Sequence, residues 1–213
     1  MNIESYYARR AREYERIYTK PERQADLRTL RDFVERTFAG KDMLEVACGT
    51  GYWTEVLARS AASVTAVDTN DEVLAIARAK SLDVAKVRFE RADAYALPKF
   101  SSAFDAGLLA FWWSHVPKAR LRSFLSNLHR AFAPGATIVF IDNVYVEGSS
   151  TPIARTDAEG NTYQIRKLDD DSTHEILKNF PTEEELRFAL EGSAATMQIG
   201  WLKYYWILSY SVR

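Results

Sequence analysis

From about residue 43 to residue 142, short apolar runs alternate with stretches in which apolar residues recur every third or fourth position. The runs at 43–47, 64–68, 87–91, 104–111 and 136–142 predict five strands. The stretches at 52–60, 71–80 and 118–132 predict helices, the second with Val73, Leu74, Ile76 and Ala77 inward, the third with Leu121, Phe124, Leu125 and Leu128. Pro134-Gly135 is expected to stop the third helix. Strands that are apolar throughout are buried on both faces, so the alternation predicts a parallel sheet with helices on both sides.

The pattern changes after residue 143. A polar stretch, 144–180, contains two alternating runs, 162–168 and 174–180, around Asp169-Asp170-Asp171-Ser172. That is a hairpin signal, and the stretch is too long for a simple connector, which marks it as a cap over a site. A helix at 182–190 follows, then two β-rich runs, 195–202 and 204–211. Their short connection cannot make a parallel crossover, so the last strand is expected to pair antiparallel with its neighbour.

Composition adds bounds. The 213 residues suit one α/β domain with an elaboration, and 28 basic against 29 acidic residues give a net charge of −1. A nucleic-acid binder more often shows a basic excess, so none is expected as a partner. The first residues lack the apolar core of a signal peptide, and 106–113 is too short to span a bilayer. The single cysteine, Cys48, allows no internal disulfide. The expectation is a cytoplasmic protein with no membrane partner.

Candidate chemistry begins in L-E-V-A-C-G-T-G-Y-W, residues 44–53, where an apolar strand carries Glu45 and breaks into a small-residue turn. A dinucleotide fingerprint, G-x-G-x-x-G, would fit Gly49 and Gly51 but fails at Thr54. An anionic pyrophosphate also offers nothing to Glu45, whereas a methionine moiety brings an ammonium and a sulfonium. Asp68 ends the second strand, where a carboxylate can accept from both ribose hydroxyls. Asp93, in R-A-D-A after the third strand, can accept from an adenine amino group, with the Ala94 N–H as a donor. Three acids in this order describe S-adenosylmethionine.

These motifs, with V-T-A-V-D at 64–68, F-D-A-G-L-L-A-F at 104–111 and R-A-F-A-P-G-A-T-I-V-F-I-D at 130–142, resemble those of the class I S-adenosylmethionine-dependent methyltransferases. The resemblance implies a Rossmann-like α/β fold: a seven-stranded, mostly parallel sheet with the last strand inserted antiparallel. It departs from the family pattern at Ala47, where glycine often stands. Ala47, Trp53, Thr69, Ala110 and Phe111 flank the motif residues and complete the expected cofactor set, with S-adenosylhomocysteine as product. The expected layout is an N-terminal helical lid at 1–39 and a methyltransferase domain at 40–213. In the lid, Tyr7, Tyr14 and Tyr18 fall near one line of an α-helix. Related segments imply that Tyr7 and Tyr14 close over the cofactor.

On the acceptor side, the fourth strand runs into F-W-W-S-H-V-P. It lacks the (N/D)-P-P-(Y/F) motif of adenine- and glutamine-directed enzymes, and no acidic cluster suggests a metal. Phe111, Trp112 and Trp113 suggest a flat or apolar small-molecule acceptor, with His115, Asn143 and Tyr145 beside it. His115 is the first candidate for a general base because it titrates near neutrality. His174, on the cap, is the second, and His129 reads as structural. A non-catalytic S-adenosylmethionine-binding protein and a nicotinamide-dependent oxidoreductase remain open alternatives. The expected oligomeric state is a monomer or homodimer.

Overall fold

The computed structural model describes residue 10, residues 14–97, residue 100 and residues 103–213. Seven strands form one sheet: β1 (Asp42–Val46), β2 (Ser63–Asp68), β3 (Val87–Arg91), β4 (Phe104–Ala110), β5 (Phe132–Asn143), β9 (Ala194–Trp201) and β10 (Tyr205–Val212). Their order is β3-β2-β1-β4-β5-β10-β9. β1 pairs parallel with β2 and β4, β2 with β3, and β4 with β5, while β10 inserts antiparallel between β5 and β9. This is the sheet the sequence predicts, including the inverted last strand.

Alternate residues along each strand bury on opposite faces, so the sheet separates two cores. On one face Met43, Ala66 and Ala106 meet Leu27, Leu30 and Val34 of helix α1 (Gln24–Thr37), Val56 and Leu57 of α2 (Tyr52–Ser60), and Leu74 of α3 (Asp71–Arg78). On the other, Leu44, Val67 and Phe140 meet Phe124, Leu125 and Leu128 of α4 (Leu121–His129) and Leu186 of α5 (Glu183–Ala189). Burying each of the Met, Leu, Val and Phe side chains among these contributes roughly 1.5–3 kcal/mol. Where β4 and β5 touch, a Cβ on Gly107 would lie 2.4 Å from the Phe132 ring, so only glycine fits.

Local signals set the helix ends. Asn70 caps α3 by accepting from the Glu72 N–H, and Thr182 and Glu185 form a reciprocal capping box at α5. One boundary differs from expectation. The helix predicted over 118–132 begins as a 3-10 turn, Lys118–Arg120, and α4 ends at His129, because Phe132 already pairs with Phe104 in the sheet.

The 144–180 stretch forms a separate three-stranded antiparallel sheet: β6 (Arg155–Thr156), β7 (Thr162–Lys167) and β8 (Thr173–Leu177). The predicted hairpin is its β7–β8 half. Among the described N-terminal residues, Tyr14–Tyr18 is a 3-10 helix, so the α-helical spacing assumed for the tyrosine stripe does not hold there. Tyr18 is buried and stacks on Tyr52 with ring centroids 3.6 Å apart. Tyr7 and the Tyr14 side chain lie outside the described residues. Among the described residues, no helix is long and apolar enough to cross a membrane, and no His, Cys, Asp and Glu cluster suits a metal ion.

Candidate functional site

Strand order reverses between β1 and β4, and in open α/β sheets the crevice beyond the carboxyl ends of the strands at such a point receives ligands. A cavity of about 280 Å³ lies there. The loop after β1 enters it first. Gly51 starts α2 at φ 82°, and a Cβ on it would come within 3.1 Å of the Ala77 Cβ, so helix and loop approach as closely as glycine allows. Ala47 also takes the left-handed conformation, at φ 57°. That explains why glycine suits the position and what the alanine methyl costs.

Asp68 holds this loop in shape. Its Oδ2 accepts from the Gly49 N–H at 2.9 Å and its Oδ1 from the Asn70 N–H at 3.0 Å. After β3, Asp93 Oδ1 accepts from the Tyr95 N–H at 2.8 Å. The cavity lining brings together Ala47, Gly49, Asp68, Thr69, Asp93 and Ala94. Ala110, at the end of β4, and Phe111, Trp112 and His115, which follow it, join them. All ten are residues that the sequence nominates.

Other nominated residues stand elsewhere. Glu45 does not line this cavity: it is 2% exposed, and its Oε2 accepts from Thr54 Oγ1 at 2.6 Å, behind the loop. Burial pushes its carboxyl up from the usual 4.5 to about 8; the Asp68 charge adds to this, while Thr54 and Lys80 oppose it. Gly51 and Trp53 support the loop without lining the cavity, and Trp53 is buried. Burial also pushes the Cys48 thiol well up, which leaves it a poor nucleophile. His174 is buried in the cap against Ser172 Oγ at 2.7 Å, and His129 bonds Tyr210 Oη at 2.8 Å. Neither lines this cavity.

A second cavity, of about 360 Å³, lies between the N-terminal segment and the cap. Phe111 and His115 border both cavities, so one wall separates them. Phe111 sits at φ 62°, a conformation that costs a bulky residue energy and that often marks functional sites. His115 Nδ1 lies 2.7 Å from the Leu177 carbonyl. A carbonyl can only accept, so Nδ1 carries the proton and Nε2 keeps a lone pair. Burial lowers the His115 pKa well below its usual value, and Lys178, Arg166 and Arg10 push it further down, so the ring is neutral.

Among the described residues, 18 line this second cavity; seven of them are Arg or Lys, and none is Asp or Glu. Lys178, 3% exposed, donates to Asp142 Oδ1 at 2.8 Å and to Ser114 Oγ at 2.6 Å, which ties the cap to the end of β5. Asp142 also accepts from the Ser114 and Asn143 N–H groups. Arg166 donates to Gln164 Oε1 at 2.8 Å. The 3-10 segment reaches both the Gly-rich loop and the cap: Glu15 accepts from Thr50 Oγ1 and pairs with Lys80, and Arg16 pairs with Asp169.

Of the residues nominated for the acceptor, Asn143 lines this cavity, and Trp112 lines the first. Trp113 packs edge-on against Phe140 and Trp206 in the core, and Tyr145 lies against Phe180 on the rim. Among the described residues, the second cavity combines cationic side chains with the aromatic rings of Phe111, Phe180 and Tyr205. Sequence reasoning passed over Asn70, Tyr95 and Arg120 in the first cavity and Arg166 and Lys178 in the second. The period-2 alternation of the predicted hairpin held one signal, since Gln164 and Arg166 share a face.

A family model described as a methyltransferase domain matches residues 43–135. The demethylmenaquinone methyltransferase of Staphylococcus aureus (strain MRSA252) is 29% identical over 106 residues, 48% of this chain and 43% of that protein. The chain thus matches less than half the length of such curated relatives. A structure titled as a DhpI-SAH complex is similar over 98% of this chain and 94% of that one, with 28% identity and a TM-score of 0.78. A DhpI-SAM-HEP complex gives 97%, 94%, 28% and 0.77. The PH0226 protein of Pyrococcus horikoshii OT3 shares the fold, at a TM-score of 0.75 and 15% identity over 94% of this chain and 99% of that one.

Proposed function

We propose that this chain, which belongs to the class I S-adenosylmethionine-dependent methyltransferases, transfers the methyl group of S-adenosylmethionine to an oxygen or nitrogen of a small molecule held under the cap. The observation that carries this reading is the pair of cavities meeting at Phe111 and His115. One is lined by the three-strand-end set of a nucleoside site, the other by the cap.

When bound, S-adenosylmethionine supplies a methyl carbon on a sulfonium, which a lone pair of the acceptor displaces in line as the C–S bond breaks with its electrons to sulfur. The donor set suits that cofactor. Asp68 offers a carboxylate at the end of β2 for ribose hydroxyls, and Asp93 and Ala94 offer an acceptor and an N–H donor for adenine. The loop of Ala47 and Gly49 lets backbone approach closely. Glu45 shapes the loop from behind through Thr54.

The residues' main service is alignment. Holding two reactants in line supplies roughly 7–11 kcal/mol of the barrier. Burial holds His115 neutral and its basicity well below that of a free imidazole, so alignment, and not proton removal, carries the transfer.

Calorimetric titration with S-adenosylmethionine and S-adenosylhomocysteine tests the reading. Micromolar binding of both is expected, weakened at least tenfold by Asp68→Ala. Binding of a reduced nicotinamide in their place would refute it in favour of an oxidoreductase. Cofactor binding with no turnover of any acceptor would reduce the protein to a cofactor-binding partner.

A further inference from the structure

An open sheet ends in two edges, and an exposed edge offers a row of backbone N–H and C=O groups to any strand that meets it. The two edges of this sheet differ. β3 is five residues long and carries Arg88, Glu90 and Arg91, with Arg88 paired to Glu90 at 2.8 Å. Charges of that kind keep a second strand away. β9 is eight residues long, A-A-T-M-Q-I-G-W, with no charged residue and no proline. Among the described residues, no strand pairs with its outer side. We propose that this edge is the docking surface for a second copy of the chain, whose own β9 pairs with it antiparallel about a two-fold axis at Ile199.

The second half of the strand suits that pairing. A bulge, marked by Thr196 at φ 48° and by the register shift between Ser209 and Ser211, bends the first half and leaves Met197–Trp201 as the regular stretch. Side chains alternate along a strand, so Met197, Ile199 and Trp201 share one face. Met197 and Ile199 are half-buried against the core on the side that α5 covers, and Trp201 is 43% exposed. The helix steadies both ends of this row. Arg187 Nη1 reaches Met197 Sδ at 3.9 Å, and Glu183 stands beside the Trp201 indole. An exposed tryptophan that is already oriented loses little freedom on contact.

Two-fold pairing at Ile199 makes this row complementary to itself. Each Trp201 falls opposite Met197 of the other copy, because both lie two residues from the axis. Cross-strand neighbours stand about 5 Å apart, and a thioether packs well against an aromatic ring. The same rotation brings Glu183, beside Trp201, to Arg187 of the second copy, beside its Met197. Within one chain these two already pair at 2.7 Å, so the two-fold joins two ion pairs into one network that sets register. The eight residues give an edge about 26 Å long, and the sheet with its helix layer is about 20 Å deep, so pairing hides about 1,000 Å² in total. That is about the least a specific interface needs, so the dimer is weak and concentration-dependent. β5 and β10 separate β9 from the crevice beside β4, so pairing leaves both cofactor cavities open and does not depend on methyl transfer.

Sedimentation of the whole chain over a wide range of concentration tests this, and a monomer–dimer equilibrium is expected. Glu183→Arg sets like charges against Arg187 of the second copy and should weaken the dimer about tenfold or more. Adding Arg187→Glu reverses both charges and should restore it. Both side chains are about half exposed, so these variants keep the fold, which melting curves check. Ile199→Lys puts two ammonium groups at the axis and should abolish the dimer. Ile199→Cys should give a disulfide-linked dimer on mild oxidation, while Cys48 is buried and takes no part.

Three outcomes overturn the inference. One is a chain that stays monomeric at every concentration. Another is a dimer as tight in Glu183→Arg and Ile199→Lys as in the wild type, which would have to use a different face. The third is a dimer lost in Glu183→Arg that the double reversal does not bring back, since charge pairing across the two-fold would then be absent.

Discussion

Replacing Glu45 by glutamine should stabilise the protein, and by an amount that grows with pH. The side chain is 2% exposed, and Thr54 Oγ1 donates a hydrogen bond to it. Burial raises its carboxyl from 4.5 to about 8 in the folded chain. Below pH 4.5 the group is protonated in both folded and unfolded chains, and folding carries no penalty. Between 4.5 and 8 the folded chain holds a proton that the unfolded chain has released, so stability falls by about 1.4 kcal/mol per pH unit. Summed across that window, the loss is about 5 kcal/mol, and above pH 8 it grows no further.

Glutamine keeps the shape, accepts from Thr54 and does not titrate. Thermal unfolding of the wild type and of Glu45→Gln should therefore coincide near pH 4.5 and diverge up to pH 8. There the variant should melt about 10–20 °C higher, at roughly 2–4 °C per kcal/mol for a chain of this size. A difference in melting temperature that stays constant from pH 5 to 8 would refute the reasoning, because it would mean that Glu45 does not titrate in that window. The same variant tests the placement of Glu45 behind the loop. Its S-adenosylhomocysteine affinity should fall less than tenfold, whereas a carboxylate meeting the ligand directly would lose more.

Three further outcomes follow from the geometry. Gly51→Ala forces a Cβ into left-handed backbone 3.1 Å from Ala77, so denaturant unfolding should show a loss of about 1–2 kcal/mol. Cofactor affinity should fall with it. Lys178→Met strands the fully buried Asp142 carboxylate and should cost about 3–5 kcal/mol in a denaturation experiment. Adding Asp142→Asn should recover part of that loss. The rate profile should show no limb near pH 6.5, because His115 stays neutral through that range. A limb there that disappears in His115→Gln would contradict the assigned protonation state.

Much of the cofactor half was legible in the sequence for a local reason. In a parallel sheet, chemistry sits where a strand ends, and strand ends are visible as the points where apolar runs meet Gly, Asp or Asn. Asp68, Asp93 and the turn after Val46 are such points, and the chain returns them to one crevice because adjacent parallel strands end on the same edge. Glu45 is the exception. Its position in the strand was clear, but the direction of its side chain depended on Thr54, nine residues on, which packs against it.

The acceptor half was written in residues that carry no signal alone. Arg10, Arg166 and Lys178 are three ordinary cations among 28, separated by up to 168 positions, and nothing local distinguishes them from solvated surface charge. Trp113, a conspicuous aromatic, turned inward because Phe140 and Trp206 close around it. The sequence by itself determined the strands, their order of chemistry and the cofactor that such an order fits, because these follow from hydrophobic period and turn residues a few positions apart. Only the tertiary structure decided the charge of the second cavity. A field is the sum of contributions from side chains near in space, and that nearness is created when the cap and the N-terminal segment fold onto the sheet.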